Sequence, residues 1–325
     1  MNHTIMFGLV QFACQPDGRG TIARMSTALG SSASISPFSA WLLATRPKTL
    51  PAAISPVLVG CAVAWAEGGF DLVSALAALS VALLLQIGAN LANDVADFQR
   101  GADTQARLGP LRVTQGGLIP PRHMVMATVA VLMAAAVPGL YLVWRGGPVL
   151  AMLGLVAIAS AVTYTAGPKP FGYLGLGELF VFFFFGPVAV AGTAFVMSNQ
   201  MTRLALLASI SMGCLVTAIL VVNNLRDIDT DRVAGKGTLA VRIGREATRW
   251  EYTGLITVAY AMPLVMWAAE MSKPGPLLAW ATAPLAVLLV RQVWQVAGRA
   301  LNPVLGGTAR LCLWFAITFG IGIIL

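Results

Sequence analysis

The sequence predicts an all-α membrane protein, a polytopic bundle of about nine transmembrane helices around a central cavity. Of its 325 residues, 58% are hydrophobic and only 10% are charged, whereas a soluble domain is about half apolar and about a quarter charged. Mean hydropathy is +0.79. Apolar runs long enough to cross the hydrocarbon core recur along the chain, and the charges between them are distributed as in a protein with positive cytoplasmic loops.

Nine apolar runs account for the predicted helices. A spanning helix needs about 20 residues, or about 17 at the short end, and a closed β-barrel would show short alternating segments instead. We expect residues 37–325 to form a single transmembrane domain. Residues 1–36 are expected to be a disordered extension, with translation from Met25 as an alternative. The predicted spans are 50–66, 72–93, 124–143, 148–165, 176–197, 203–225, 252–270, 277–297 and 309–325.

The distribution of Lys and Arg predicts the orientation in the membrane. With the amino terminus in the cytoplasm, all but Arg145, Arg203 and Lys273 fall in inside segments. Such a bias is the usual sign of cytoplasmic loops. An odd number of spans then places the carboxyl terminus outside.

Several other classes of protein and site are disfavoured. The net charge of +8 comes from scattered residues rather than an aromatic-interleaved stripe, so no nucleic-acid partner is expected. The four cysteines lie far apart, which argues against a disulfide framework or a zinc site. With only two histidines, any metal would be held by oxygen ligands.

Two predicted inside loops, roughly 94–123 and 226–251, contain acids that a positive loop does not need. Asn223, Asp227 and Asp231 are spaced i, i+4, i+8, and Asn93 and Asp97 are spaced i, i+4. On a helix such residues share one face, about 6 Å apart along the axis. The repetition indicates a weak internal repeat with a site between its halves. The aspartates of these loops are six of the thirteen acids in the chain, namely Asp94, Asp97, Asp103, Asp227, Asp229 and Asp231.

The acid clusters predict a magnesium–diphosphate site. Carboxylates stacked near hydrocarbon are costly, and divalent cations between them remove the repulsion. Mg²⁺ is commonly held by one or two carboxylates together with substrate phosphates. A lipid diphosphate fits, because metal ions can neutralise the leaving diphosphate as an allylic C–O bond breaks. Nearby cations also indicate an anionic ligand: Arg107, Arg112, Arg226, Lys236 and Lys48.

The acid motifs resemble those of the intramembrane aromatic prenyltransferases, the UbiA superfamily, over about residues 40–325. That superfamily has N-D-x-x-D-x-x-x-D on its second helix and D-x-x-x-D-x-x-x-D on its sixth. Here Gly101 replaces the last acid of the first motif, with Asp103 two residues later, and Asn223 replaces the first acid of the second. The segments "RPKTLP" (46–51) and "YTAGPKPFGYLGLGE" (164–178) also resemble the superfamily.

Within the superfamily, two stretches are similar to the menaquinone-pathway branch: "RGADTQARLGPLRVTQGGL" (100–118) and "NNLRDIDTDRVAGKGTLAVRIG" (223–244). This resemblance implies transfer of a polyprenyl group from its diphosphate to 1,4-dihydroxy-2-naphthoate. Diphosphate and CO₂ would be released, and demethylmenaquinone would be formed. It also implies Mg²⁺ as cofactor and the bacterial inner membrane as location.

The resemblance implies a role for each matching residue. Asn93 and Asn223 would orient ligands or contact diphosphate oxygens, and Arg107, Arg112 and Lys236 would hold the diphosphate, with Lys48 and Arg226 as weaker candidates. Tyr164 and Lys169 are candidates for the acceptor site, with a plain inside-loop charge as the alternative for Lys169. Tyr173 is a candidate for the cavity wall, with an anchor at the membrane interface as the alternative. Glu178 has a structural role as an alternative to a catalytic one. The expected Mg²⁺ ligands are Asp94, Asp97, Asp103, Asp227 and Asp231.

Alternatives remain open at this stage. The acceptor could be 4-hydroxybenzoate or homogentisate, and the donor could carry a phytyl group. A divalent-cation or phosphate transporter is a more distant alternative, and it would place its acids near the bilayer midplane. An alcohol phosphatidyltransferase is disfavoured, because its D-G-x-x-A-R type of cluster is not found. The phenylalanine run 180–185 is expected to face lipid or pack, with a cavity wall as the alternative.

Overall fold

Nine helical rods and no strands make up the part of the chain that the computed structural model describes, residues 35–100, 108–110, 112–165, 170–270 and 272–325. Residues 40–325 form one compact body. The rods are α1 (Pro37–Ala66), α2 (Leu72–Gln99), α3 (Pro121–Gly146), α4 (Pro148–Thr163), α5 (Gly177–Ser198), α6 (Arg203–Val233), α7 (Leu239–Ala268), α8 (Gly275–Gln295) and α9 (Gly298–Ile324).

The predicted all-α membrane bundle is confirmed, and the protein is an integral membrane protein. Within the described ranges, seven rods are long and apolar enough to cross a bilayer, and α4 is a shorter apolar helix of 16 residues. Rod α7 is long, but it begins with a charged stretch and has a break at Gly244, whose φ is 85°. The extension predicted over residues 1–36 stays a prediction, since residues 1–34 lie outside the described part.

The two acidic loops are shorter than the sequence indicated. Rod α2 continues to Gln99 and α6 to Val233, so Asp94, Asp97, Asp227 and Asp231 lie on helices. The apolar pattern ends where the polar residues begin, but the helical backbone hydrogen bonds continue beyond that point. The consequence is that the acids are held on rigid elements rather than in loops.

Rod α6 is the centre of the bundle. It packs against α5, α7, α9 and α1, and most of its residues are buried. Close approach to α5 depends on glycine, because a Cβ at Gly186 would lie 2.7 Å from the backbone oxygen of Ser209 and 3.1 Å from the Cα of Gly213. Small residues at such crossings let membrane helices pack by van der Waals contact.

A break in α1 is stabilised by α2. Arg46 has a left-handed backbone (φ 52°, ψ 68°) between the helical segments Pro37–Thr45 and Leu50–Ala66. The side-chain amide of Asn90 donates to the Thr45 carbonyl and to Thr49 Oγ1, both at 3.0 Å. These bonds satisfy groups that the break leaves open. The break therefore lies against the polar half of α2.

We predict that Gly186→Ala lowers the stability of the protein. The added Cβ meets backbone rather than a flexible side chain, and overpacking of this kind costs about 1–3 kcal/mol. The midpoint of thermal unfolding in detergent should fall by several degrees. Gly306→Ala on α9 is the matched control, because a Cβ there has no atom within 4 Å. Equal midpoints for the two variants would contradict this packing account.

Candidate active site

A large cavity of about 1160 Å³ lies within the bundle. Rods α1 to α6 contribute most of its wall, together with residues of the segments that follow α4 and α6. Its cytoplasmic end, as predicted from charge, is polar, and the remainder is lined by aliphatic and aromatic side chains. An apolar pocket with a few convergent polar groups is the usual form of a ligand site.

Asp97 is the centre of the polar end. Its carboxylate is 2% exposed and accepts hydrogen bonds from three side chains. Arg112 Nη2 donates to Oδ2 at 2.6 Å, while Tyr173 OH and Lys236 Nζ donate to Oδ1 at 2.8 and 3.0 Å. Charge-assisted bonds of this type are roughly twice as strong as neutral ones. Asp97 thus joins the turn after α6 to α2.

Lys236 and Tyr173 keep their protons in this setting. Burial alone would lower the pKa of Lys236, but the negative charge of Asp97 outweighs it and the pKa is raised. Burial raises the pKa of Tyr173, and the charge of Asp97 adds to the effect. Lys236 Nζ also lies 5.0 Å from the centroid of the Tyr173 ring, within cation–π range. The pair therefore presents one positive charge and one hydroxyl.

Asp227 lines the same cavity from α6 and is held by Arg226. The guanidinium donates Nε to Oδ1 at 2.8 Å and Nη2 to Oδ2 at 2.5 Å, a two-bond fork. Arg226 also donates to Asn223 Oδ1 at 2.8 Å and to Asn302 Oδ1 at 2.9 Å. Its side chain is 2% exposed. Arg226 therefore orients Asp227 and Asn223, and it does not line the cavity as a predicted phosphate ligand would.

The two repeated motifs face one space. Asn93 and Asp97 on α2 and Asn223, Asp227 and Asp231 on α6 all line the cavity. Asn93 accepts a hydrogen bond from Thr165 Oγ1 at 2.6 Å, which connects α2 to the segment after α4. The helical spacing thus identified the correct faces of both rods.

Asp94, predicted as a metal ligand, has a different setting. It is 2% exposed and is not among the residues that line the cavity. Its oxygens accept from the backbone N–H groups of Val113 and Thr114 at 3.3 and 3.1 Å. The structure therefore gives Asp94 the role of anchoring the segment that contains Arg112.

The predicted cations differ in their positions. Arg112 and Lys236 line the cavity beside Asp97. Lys48 is exposed and is not among the lining residues, so it does not belong to the polar end. Asp103, Arg107 and Lys169 lie outside the described residues.

Aromatic residues line the cavity next to the polar end. Tyr164 packs edge-on against Phe171, and Phe171 stacks on Phe180 with ring centroids 4.2 Å apart. Burial, with the nearby charges of Glu178, Asp231 and Asp97, raises the pKa of Tyr164. The expectation that the phenylalanine run faces lipid or packs is wrong for three members, which form cavity wall, the alternative. Phe180 and Phe184 share a helical face at i, i+4 spacing, and Phe185 lies in the π-helical segment that begins at Phe184. The members that line the cavity are Phe180, Phe184 and Phe185.

Glu178 has a structural setting. It lies in the first turn of α5, is 7% exposed and accepts a hydrogen bond from Asn224 Nδ2 at 2.8 Å. It is not among the lining residues, whereas Asn224 is. Glu178 therefore positions Asn224 from behind the cavity wall.

The polar end has a donor set that fits magnesium. Only oxygen donors are available on the acidic faces of α2 and α6. In the described ranges no three His, Cys, Asp or Glu side chains are grouped as an all-protein metal site. Mg²⁺ does not need such a site, since it usually takes one or two carboxylates and completes its shell with water and substrate phosphates. Asp227 and Asp231, one turn apart, could supply these carboxylates.

Sequence reasoning missed three polar residues of the cavity. Asn90 lies i−3 from Asn93, and Thr165 bonds to Asn93. Arg46, at the break in α1, also lines the cavity. Asn90 could have been found, because it shares the helical face of Asn93 and Asp97. Arg46 and Thr165 gave no periodic signal, since they lie where helices are interrupted or end.

Comparison with known proteins places the chain among prenyl-transferring membrane proteins. Residues 53–304 match the model of the UbiA prenyltransferase family. The chain is 42% identical over 282 residues to a 1,4-dihydroxy-2-naphthoate octaprenyltransferase of Mycobacterium tuberculosis, covering 86% of this chain and 95% of the relative. It is 38% identical to the Escherichia coli protein of the same name, covering 90% of this chain and 97% of that protein.

Solved structures share the fold. A UbiA homolog from Aeropyrum pernix K1 superimposes with a TM-score of 0.65 at 16% identity, covering 82% of this chain and 96% of the other. A UbiA homolog from Archaeoglobus fulgidus bound to GPP and Mg²⁺ gives a TM-score of 0.59 at 16% identity, covering 88% and 99%. At these identities the likeness concerns the arrangement of helices.

We predict that Asp94→Asn acts on stability rather than on metal use. The substitution removes one of two acceptor oxygens from buried N–H groups, which costs about 1–3 kcal/mol. The midpoint of thermal unfolding should fall, while the concentration of Mg²⁺ that gives half-maximal activity should stay near the wild-type value. Asp227→Asn is the comparison, and it should raise that concentration. An equal rise of this Mg²⁺ concentration in both variants would indicate that Asp94 is a metal ligand.

Proposed function

The chain belongs to the UbiA prenyltransferase family and is a membrane prenyltransferase, and we propose that its acceptor is 1,4-dihydroxy-2-naphthoate. The donor in this proposal is a polyprenyl diphosphate. Diphosphate and CO₂ are released, and the product is demethylmenaquinone in its hydroquinone form. The names of relatives that cover nearly their whole length support this acceptor.

One observation carries the proposal: the acidic turns of α2 and α6 and two bases meet at the polar end of an otherwise apolar cavity. A lipid diphosphate has the same division, with a charged head and a hydrocarbon tail. The head is matched by Asp97, Asp227, Asp231, Arg112 and Lys236, and the tail by the aliphatic wall. A small inorganic ion would have no use for the apolar part, and this disfavours transport.

Binding of the donor head is assigned to the polar end. Asp227 and Asp231 would hold Mg²⁺, with Asn223, Asn93 and Asp97 around them. Bound Mg²⁺ would neutralise the charge that develops on the departing diphosphate. Arg112 and Lys236 already bind a carboxylate, and both can take phosphate oxygens instead. The Mg²⁺ and GPP named in the Archaeoglobus fulgidus structure support this assignment.

The aromatic wall is assigned to the reacting end of the prenyl group. As the C–O bond breaks, positive charge develops on the first isoprene unit. Tyr164, Phe171 and Phe180 present ring faces and edges in that region, and ring faces attract cations. The same rings exclude water, which would otherwise capture the allylic carbon.

The acceptor would react at the ring carbon that carries its carboxylate. A bond forms from this carbon to the first carbon of the prenyl group, and the carboxylate leaves as CO₂ with its electron pair retained by the ring. Tyr164 keeps its hydroxyl proton because of its raised pKa, so it can donate a hydrogen bond to an acceptor oxygen. Arg46 is a cavity-lining cation that could face the carboxylate.

The orientation in the membrane is also part of the proposal. With the amino terminus in the cytoplasm of a bacterium, the polar end of the cavity opens toward the cytoplasmic side of the inner membrane. Soluble aromatic acids would reach it from there, while the donor would come from the lipid. The charge distribution between the rods supports this orientation.

We expect purified protein in detergent to prenylate 1,4-dihydroxy-2-naphthoate with geranyl diphosphate when Mg²⁺ is present. Chelation with EDTA should abolish turnover, and added Mg²⁺ should restore it. A panel of acceptors, including 4-hydroxybenzoate and homogentisate, measures the preference through product mass and release of CO₂. If another acceptor is prenylated and 1,4-dihydroxy-2-naphthoate is not, the acceptor assignment is wrong, while the assignment of prenyl transfer stands.

We expect Asp227→Ala and Asp231→Ala each to reduce kcat/KM at least about a hundredfold, which corresponds to about 2.7 kcal/mol of transition-state stabilisation. Each removes a carboxylate from the cavity wall without removing a helix. Glu246→Ala is the matched control, since Glu246 is an exposed acid on α7 that is not among the cavity-lining residues. Full activity in either cavity variant would contradict the metal roles.

A further inference from the structure

The outer end of the cavity, opposite the acids, is formed where three rods end together. A Cβ at Gly146, the last residue of α3, would lie 2.2 Å from Leu150 Cδ1 on α4 and 3.5 Å from Val196 Cγ2 on α5. Leu150 and Val196 both line the cavity. The outer ends of α3, α4 and α5 therefore lie at one level.

Three glycines line the cavity at a common depth from this end. Gly139, Gly154 and Gly192 lie on α3, α4 and α5, each about 9–10 Å from the outer end of its rod at 1.5 Å per residue. A Cβ at Gly154 or Gly192 would have no atom within 4 Å, and one at Gly139 would meet only Val81 Cγ2 at 4.0 Å. The space in front of all three is open cavity.

Helix packing does not explain these glycines. Where a glycine serves a helix crossing in this protein, an added Cβ would clash, as at Gly60, where it would lie 2.6 Å from the Val190 oxygen. The three cavity glycines lack such neighbours. Glycine in a helix costs about 1 kcal/mol relative to alanine, so what they gain is the width of the cavity at that depth.

We propose that Gly139, Gly154 and Gly192 set the length of isoprenoid tail that the cavity accepts. The inference rests on the proposed function, since it gives a further property of the same donor site. The tail of a long donor passes between the three glycines toward Leu150 and Val196. Side chains larger than hydrogen at this level close the passage and leave only the inner part of the cavity.

The distances favour a boundary between short and long donors. Thr165 contacts Asn93, at the polar end of the cavity. At a rise of 1.5 Å per residue, Gly154 lies about 16 Å back along the chain from Thr165. Asp97 lies one helical turn, about 6 Å, beyond Asn93 on α2. The diphosphate site thus lies about 20 Å from the glycines. One isoprene unit advances about 5 Å over four carbon–carbon bonds of about 1.5 Å. Geranyl ends short of the glycines, geranylgeranyl reaches them, and longer tails pass between them.

The test compares donors of two lengths in glycine variants. We expect Gly154→Leu and Gly192→Leu to lower the ratio of kcat/KM for geranylgeranyl diphosphate to that for geranyl diphosphate by about tenfold or more, because the added side chains fill the space that the longer tail needs. The variant with both changes should lower it further. Gly254→Leu is the matched control, because Gly254 is an exposed helical glycine on α7 with no atom within 4 Å of its Cβ and is not a lining residue. Its ratio should equal that of the wild type.

An unchanged ratio in folded leucine variants, or an equal fall in Gly254→Leu, would overturn the proposal. If the leucine variants do not fold, the ratio is measured in Gly154→Ala and Gly192→Ala instead. We expect a smaller fall of the ratio in these alanine variants, and an unchanged ratio in them would overturn the proposal. The ratio is measured with whichever aromatic acid the protein prenylates, so a wrong acceptor assignment does not affect it. Calorimetric binding of the two diphosphates with Mg²⁺ gives the same comparison without turnover, even if no acceptor reacts.

Discussion

The structure depends on neutralising charged groups inside a lipid-embedded bundle. Asp97 and Asp227 would each be expensive at this depth, and each is paired with cations, Asp97 with Arg112 and Lys236 and Asp227 with Arg226. The two Asp97 pairs connect α2 to the segments that follow α2 and α6. They also leave two bases beside the acids, so the groups that stabilise the protein are the same ones to which we assign the diphosphate and its magnesium in the proposed function.

Helical periodicity made much of this predictable. The nine rods follow from nine apolar runs, and the i, i+4 spacing of Asn93 with Asp97 and of Asn223 with Asp227 identified the faces that meet in the cavity. Which residues share a face of one helix depends only on their spacing along the chain, and this spacing is given by the sequence. The helix ends were less predictable, because polar residues continue the backbone hydrogen bonding after the apolar pattern has stopped.

Contacts between distant segments were not predictable from spacing. Asp94 lies beside Asn93 in the motif, yet the backbone at Val113 and Thr114 occupies its oxygens. Arg226 adjoins Asp227 in sequence, and only the position of Asn302 on α9 shows that its guanidinium faces inward. In each case the deciding partner lies elsewhere in the chain.

The reach of the Asp97 network has a consequence for biosynthesis. Lys236 lies 139 residues after its carboxylate partner, beyond four further membrane helices. A nascent chain inserts its helices in order, and distant contacts form only after the intervening chain is present. Until the ribosome has passed Lys236, α2 lies in the bilayer with one of its counter-charges still to be made. The Asp97 network is thus completed only after α6 has been made, and an early stop after α5 would yield a product that lacks its Lys236 bond.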